Sequence, residues 1–246
     1  LFKRIVRAVA RSIRQLLLIE SVNKFVFQVR FFWFVRVLRR VHTYESEDHV
    51  MAAKYSIDML LEGRTSHRPL RLIRPLSVLD HVDVSSAKVL SIGCRFETEL
   101  LYLVAHGFKK ANVRGLDMIS YSPWVDVGNM HALPYEDTSW DVLILGWVLP
   151  YSDDQARAAS EVIRVCKDRA IVAIGLTYYP EDMAVNLVSV DSRFRTSRVQ
   201  TVDGLLSLFG GAVGRVLFSH DAADPEREGV CAVLFEVRKP PLTSAN

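Results

Sequence analysis

A chain of 246 residues, half of them hydrophobic and 24% charged, has the composition of one α/β domain with an appendage, which excludes a disordered or fibrous protein. Its three cysteines, Cys94, Cys166 and Cys231, lie far apart without a C-x-x-C pair; this argues against a disulfide framework or zinc site and fits a reducing, cytoplasmic setting. Net charge is +3, yet residues 1–41 carry ten Lys/Arg against the single acid Glu20, so a +9 arm precedes a −6 body.

The first forty residues read as one or two helices. Arg4, Arg7, Arg11 and Arg14 recur in steps of three and four, which places them on one stripe, with Ile5, Val6, Val9, Ile13, Leu16 and Leu17 largely on the other side. From Phe25 to Val41 the arm is aromatic, but Gln28, Arg30 and Arg36 interrupt it, so no uncharged run approaches the roughly eighteen residues of a membrane span. Three readings stay open. The arm is a helical lid with a solvated basic face, a helix lying in the interface of an anionic membrane, or a nucleic-acid contact. The acidic body counts against a broad phosphate-binding surface. The sequence begins at Leu1, so a targeting signal upstream of it would not be visible.

Residues 46–75 follow as a helix and a connection. Ser46, with acids behind it, is a helix N-cap, the helix runs to about Leu61, and Gly63 stops it. Arg64 to Pro75 is basic and irregular. The α/β domain is expected over residues 76–239, with 240–246 a loose tail. Within it, strands are predicted at Lys88–Ile92, Val113–Leu116, Val125–Val127, Val142–Leu145 and Ala170–Ile174, and helices at Glu97–Ala105 and Gln155–Cys166. Two further β-rich runs, Ala212–Ser219 and Val230–Val237, flank a turn-forming acidic segment and read as a hairpin. Alternating strands and helices imply a parallel, doubly wound sheet with that hairpin at its edge.

Three elements carry chemistry. Strand Val89–Ile92 ends at Gly93 and gives way to a helix, a turn in which a missing Cβ and free helix N–H groups admit a ligand. Asp117 ends the next strand 24 residues after Gly93, close to the spacing at which a carboxylate meets ribose hydroxyls. The third element is Gly128-Asn129-Met130-His131-Ala132-Leu133-Pro134-Tyr135-Glu136-Asp137-Thr138-Ser139-Trp140-Asp141-Val142, followed later by Glu161-Val162-Ile163-Arg164-Val165-Cys166-Lys167. These resemble the "D-A-x-x-L-P-F-x-D-x-S-F-D-x-V" and "E-x-x-R-V-L-K" blocks of class I S-adenosylmethionine (SAM)-dependent methyltransferases, of the small-molecule branch.

The resemblance covers about Lys88 to Gly175 and implies a Rossmann-like seven-stranded α/β sheet that binds SAM. It also implies methyl transfer to an oxygen or nitrogen of a small-molecule or glycan acceptor. By the same resemblance Ser91, Ile92, Gly93 and Cys94 line the methionine and ribose, Asp117 holds the ribose, and Met118 lies against the adenine. Asn129 stands for the family's adenine-binding aspartate beside Met130, and Gly146 and Trp147 border the methyl-transfer end. Ser91 replaces an acid of the family; Arg95 and Glu97 replace glycines; Asp168-Arg169-Ala170 replaces a Pro-Gly-Gly turn. Glu97 is a candidate to reach the cofactor's amino group. His131, Tyr151 and Tyr178 are the candidates for a base or a pocket wall, and no metal motif is present. A non-catalytic methyltransferase-like module and a membrane-recruited scaffold remain alternatives.

Overall fold

Strands that are apolar on both faces need cover on both sides, and short runs of Val, Ile and Leu build this sheet from its middle outward. The structure, a computed structural model, describes residues 12, 14–44, 67–180 and 199–239. The helix expected from Ser46 to Leu61 and the tail 240–246 lie outside these residues. The chain divides into two compact units, Leu1–Asn129 and Met130–Asn246.

The first unit opens with α1 (Glu20–Phe31), which continues as a π-helical turn, Phe32–Val37. A two-residue strand, β1 (His42–Thr43), follows, and then α2 (Leu70–Ser77). The region from Arg64 to Pro75 was expected to be irregular. Instead, Leu72, Ile73 and Leu76 lie on one helical stripe and are fully buried, at about 1.5–3 kcal/mol per side chain. That burial outweighs the proline near the helix end. β2 (Val89–Ile92) is buried at every position and leads into α3 (Glu97–Ala105), which ends before Gly107 at φ 117°. β3 (Val113–Asp117) pairs with β2 in parallel, and β5 (Val125–Val127) pairs with β3 in parallel. Between them β4 (Ile119–Ser120) pairs antiparallel with β1, so the arm adds a small second sheet that the sequence did not announce.

The second unit contains β6 (Trp140–Gly146), α4 (Gln155–Val165) and β7 (Cys166–Tyr178), with β6 and β7 parallel. β7 begins earlier than expected because a bulge carries pairing across residues 167–170, with Arg169 at φ 62°. α5 (Val202–Phe209) had no counterpart in the sequence reading. Thr201 caps it through the Gly204 N–H, and it buries Val202, Leu205 and Phe209. β8 (Val213–His220) and β9 (Gly229–Val237) form the expected antiparallel hairpin, with β9 also antiparallel to β7. The seven-stranded sheet has the order β5-β3-β2-β6-β7-β9-β8, an α/β, Rossmann-like arrangement closed by the hairpin.

Candidate active site

In the first unit the tips of β2 and β3 meet at Gly93, whose N–H donates to the Leu116 carbonyl at 2.7 Å with φ at 74°. Arg95 adopts φ 46°, a left-handed conformation that costs an L-residue about 1–2 kcal/mol. Arg95 and Arg169 both stand where the family has glycine, and both keep the backbone a glycine would take. The altered turn is therefore bulkier in side chain but unchanged in sense.

Asp117 ends β3 at 8% exposure. Its Oδ2 accepts the Arg95 N–H at 2.8 Å and its Oδ1 the Ile119 N–H at 3.2 Å. Burial raises its pKa above the ordinary carboxylate value, against the nearby Arg95 charge and these N–H groups. Its own carbonyl accepts the Gly128 N–H at 3.0 Å, which sets half-buried Asn129 beside the strand tip. Met118 is half-buried, and its carbonyl accepts the Tyr44 N–H at 2.7 Å from the arm. Ile92 and Cys94 are buried; burial, then the Asp117 charge, holds the Cys94 thiol well above its usual pKa, so it is an inert packing group. Gly115 opposite must lack a side chain, because a Cβ would stand 2.4 Å from the Cys94 Sγ.

Glu97 is fully buried and engaged within the protein. Arg30 on α1 grips it with two bonds, Nε to Oε2 at 2.5 Å and Nη2 to Oε1 at 2.7 Å. The Ser122 hydroxyl also donates to Oε1, and the Glu97 N–H donates to the Tyr121 hydroxyl oxygen at 3.3 Å. Phe27 stacks edge-on against Phe96, and Phe31 against Tyr121. The carboxylate expected to reach a cofactor amine thus anchors the arm. Sequence reasoning missed Arg30, Tyr121 and Ser122; a lone cation inside an aromatic run was the signal, since a cation in apolar surroundings needs a partner.

Glu99 was also missed. It is the third residue of α3 and accepts a bond from Ser91 Oγ at 2.5 Å, returning a carboxyl group to the place where Ser91 replaced the family's acid. Burial pushes its pKa up to about 7. Between the ordinary value of 4.5 and about 7 the folded chain keeps a proton that the unfolded chain has released. Stability therefore falls as pH rises across that window, by on the order of 3 kcal/mol, and levels off above it. Urea unfolding at several pH values is expected to show this slope in the parent and its loss in Glu99→Gln; parallel curves would refute it.

The second unit holds the remaining candidates. Trp147 follows β6 at φ 61°, its N–H donating to the Gly175 carbonyl at 2.8 Å and its indole N–H to Thr177 Oγ1 at 3.1 Å. Gly146, in register with Gly175, and Met130 are half-buried. His131 Nε2 lies 2.6 Å from Ser152 Oγ and 3.4 Å from Asp153, and its carbonyl accepts from Arg157, so it pins two loops together. The Tyr178 hydroxyl donates to the Pro225 carbonyl at 2.9 Å, whereas Tyr151 is 44% exposed.

The two blocks that carried the resemblance form one hydrogen-bonded assembly here. Glu161 accepts the Leu133 N–H at 2.7 Å, and Arg164 donates to the carbonyls of Leu133 and Tyr135 and to Asp137. Their conspicuous pattern is scaffolding for the loop that precedes β6.

Strand order, the turn at Gly93 and the carboxylate at the tip of β3 define a class I methyltransferase architecture. A family model described as a methyltransferase domain matches residues 90–174, so this stretch carries a SAM-dependent methyltransferase domain, whose methyl donor is SAM. No functionally curated protein matches the sequence. Among solved structures, a putative sarcosine dimethylglycine methyltransferase from Galdieria sulphuraria aligns with TM-score 0.51 and 15% identity over 84% of this chain and 97% of that one. A complex of the Haloferax volcanii Trm112 methyltransferase activator with a putative methyltransferase gives 0.52 and 14% over 79% and 97%. The [4+2]-cyclase SpnF gives 0.51 and 16% over 89% and 97%. At these identities the likeness is one of fold, and the fold hosts more than one chemistry.

The first unit fits the nucleoside end of such a cofactor. The Asp117 carboxylate meets the backbone N–H groups of Arg95, Ile119 and Met118, and a carboxylate offers about four acceptor directions in all, so acceptor capacity for a ribose hydroxyl remains. Among the described residues no cluster of potential metal ligands is present.

Proposed function

We propose that this enzyme transfers the SAM methyl group to an oxygen or nitrogen of a small-molecule or glycan acceptor. The observation that carries the reading is Asp117, buried at the tip of β3 with both oxygens oriented by backbone N–H groups. Asp117 takes a ribose hydroxyl, Met118 flanks the base, and Asn129 offers a carbonyl to an exocyclic amine. Gly93 lets the cofactor approach the main chain. The sulfonium of SAM supplies an activated methyl, so alignment of the acceptor provides much of the acceleration and a strong base is dispensable. His131 and Tyr178 hold structural bonds, and exposed Tyr151 is a pocket-wall candidate in the second unit.

Titration calorimetry of the full chain with SAM and with S-adenosylhomocysteine tests the reading. Both are expected to bind at one site. Absence of binding at millimolar ligand would overturn it in favour of a non-catalytic module, the alternative suggested by the engagement of Glu97 with Arg30.

A further inference from the structure

We infer that the outer face of α1 and its π-helical turn docks on an anionic membrane surface. The arm carries two stripes with identical helical spacing, offset by two residues. Asn23, Phe27, Arg30, Phe31 and Phe34 form the inner stripe. Its Phe27 is buried against Phe96, its Phe31 meets Tyr121, and its Arg30 holds Glu97. Phe25, Val29, Phe32, Trp33 and Arg36 form the outer stripe. There the four apolar side chains are 64%, 52%, 60% and 53% exposed. A helix needs one apolar stripe to pack on its own domain, and the second is unexplained by folding.

Composition and charge select the occupant. Two phenylalanines and a tryptophan, with arginines beside them, form the face that inserts at the headgroup boundary while the cations meet lipid phosphates. Arg36 lies on the stripe, and Arg36 and Arg39 are both exposed. The arm's one acid, Glu20, is neutralised by Lys24 at 2.9 Å and approached by His67 at 2.6 Å. A shallow groove of about 560 Å³ is lined by Phe25, Val29, Phe32 and Trp33. No helix among the described residues is long and apolar enough to cross a bilayer, so this surface lies on the membrane plane. The inner stripe of the same helix meets Phe96 and Glu97 at the start of α3, so docking would set that helix start about one helix diameter, roughly 10 Å, from the lipid.

Flotation of the full chain with phosphatidylcholine vesicles, with and without phosphatidylserine, tests the inference. Binding is expected on the phosphatidylserine vesicles and is expected to weaken with salt. Arg36→Gln and Arg39→Gln should each reduce partitioning about fivefold. Phe32→Ser with Trp33→Ser should abolish binding while leaving the thermal midpoint unchanged, because these side chains are exposed in the fold. If that variant unfolds, brominated lipid provides the second reading: it should quench the parent's fluorescence and quench Trp33→Phe less. Absence of binding to anionic vesicles, or binding indifferent to both sets of substitutions, overturns the proposal. A dimer in sedimentation that Phe32→Ser dissolves, without vesicle binding, overturns it in favour of a second copy of this chain.

Discussion

Arg30→Met is expected to destabilise the whole chain by about 3–5 kcal/mol, the cost of leaving a buried charge without its partner. Glu97 is completely buried, and among the described residues the neutral Ser122 hydroxyl is the one other side-chain donor to its carboxylate besides Arg30. The pair is strongly directional, since two guanidinium nitrogens, Nε and Nη2, each address one carboxylate oxygen. Hydrogen bonding to Glu97 is also the main reason the Arg30 guanidinium holds its proton more tightly than usual. Glu97→Gln should cost less, because Arg30 is 28% exposed and water can replace part of the lost interaction. The double variant should recover a portion of the loss, as replacing both members of a buried pair is often close to neutral. Urea midpoints of the four proteins measure the coupling. A cost below about 1 kcal/mol for Arg30→Met would mean that α1 does not seal this turn in solution.

Asp117→Ala should weaken SAM binding by up to about a hundredfold. A ribose hydroxyl donating to a charged acceptor contributes about 1.5–3 kcal/mol, and the variant removes that bond. It also strands the Arg95 and Ile119 N–H groups, so some loss of stability is expected alongside. Asp117→Asn separates the two effects, since it retains one acceptor oxygen and should bind SAM with an intermediate affinity. Calorimetry for affinity and a ligand-free melt for stability are both required. Wild-type affinity in a folded Asp117→Ala protein would remove Asp117 from the nucleoside end and with it the central support for the proposed function.

The two predictions concern carboxylates that a sequence presents very differently. Asp117 was legible because its environment is local: a strand, a turn and a fixed interval from Gly93 place it at a sheet tip. Glu97 was legible only as a departure from a glycine, and its partner stands 67 residues earlier. Glu99 showed no signal at all until α3 brought it onto Ser91. Likewise Glu161 and Arg164 were recognised by pattern, but their work of clamping the Leu133–Asp137 loop became visible only in the fold.

The sequence by itself determined the parts governed by short-range physics. Apolar runs bounded by turn residues became β2, β3, β5 and β6, and Gly107 ended α3 where a positive φ was needed. Resemblance supplied the methyltransferase domain over residues 90–174. Tertiary structure decided what depends on contacts distant in the chain. α2 persists despite Pro75 because Leu72, Ile73 and Leu76 are buried, an effect that propensity does not see. The helical character of the arm was read from its spacing, but which of its two aromatic stripes faces the protein was not. Both have the same period, and the choice was made by the shape of Phe96 and Tyr121 and by the buried charge of Glu97.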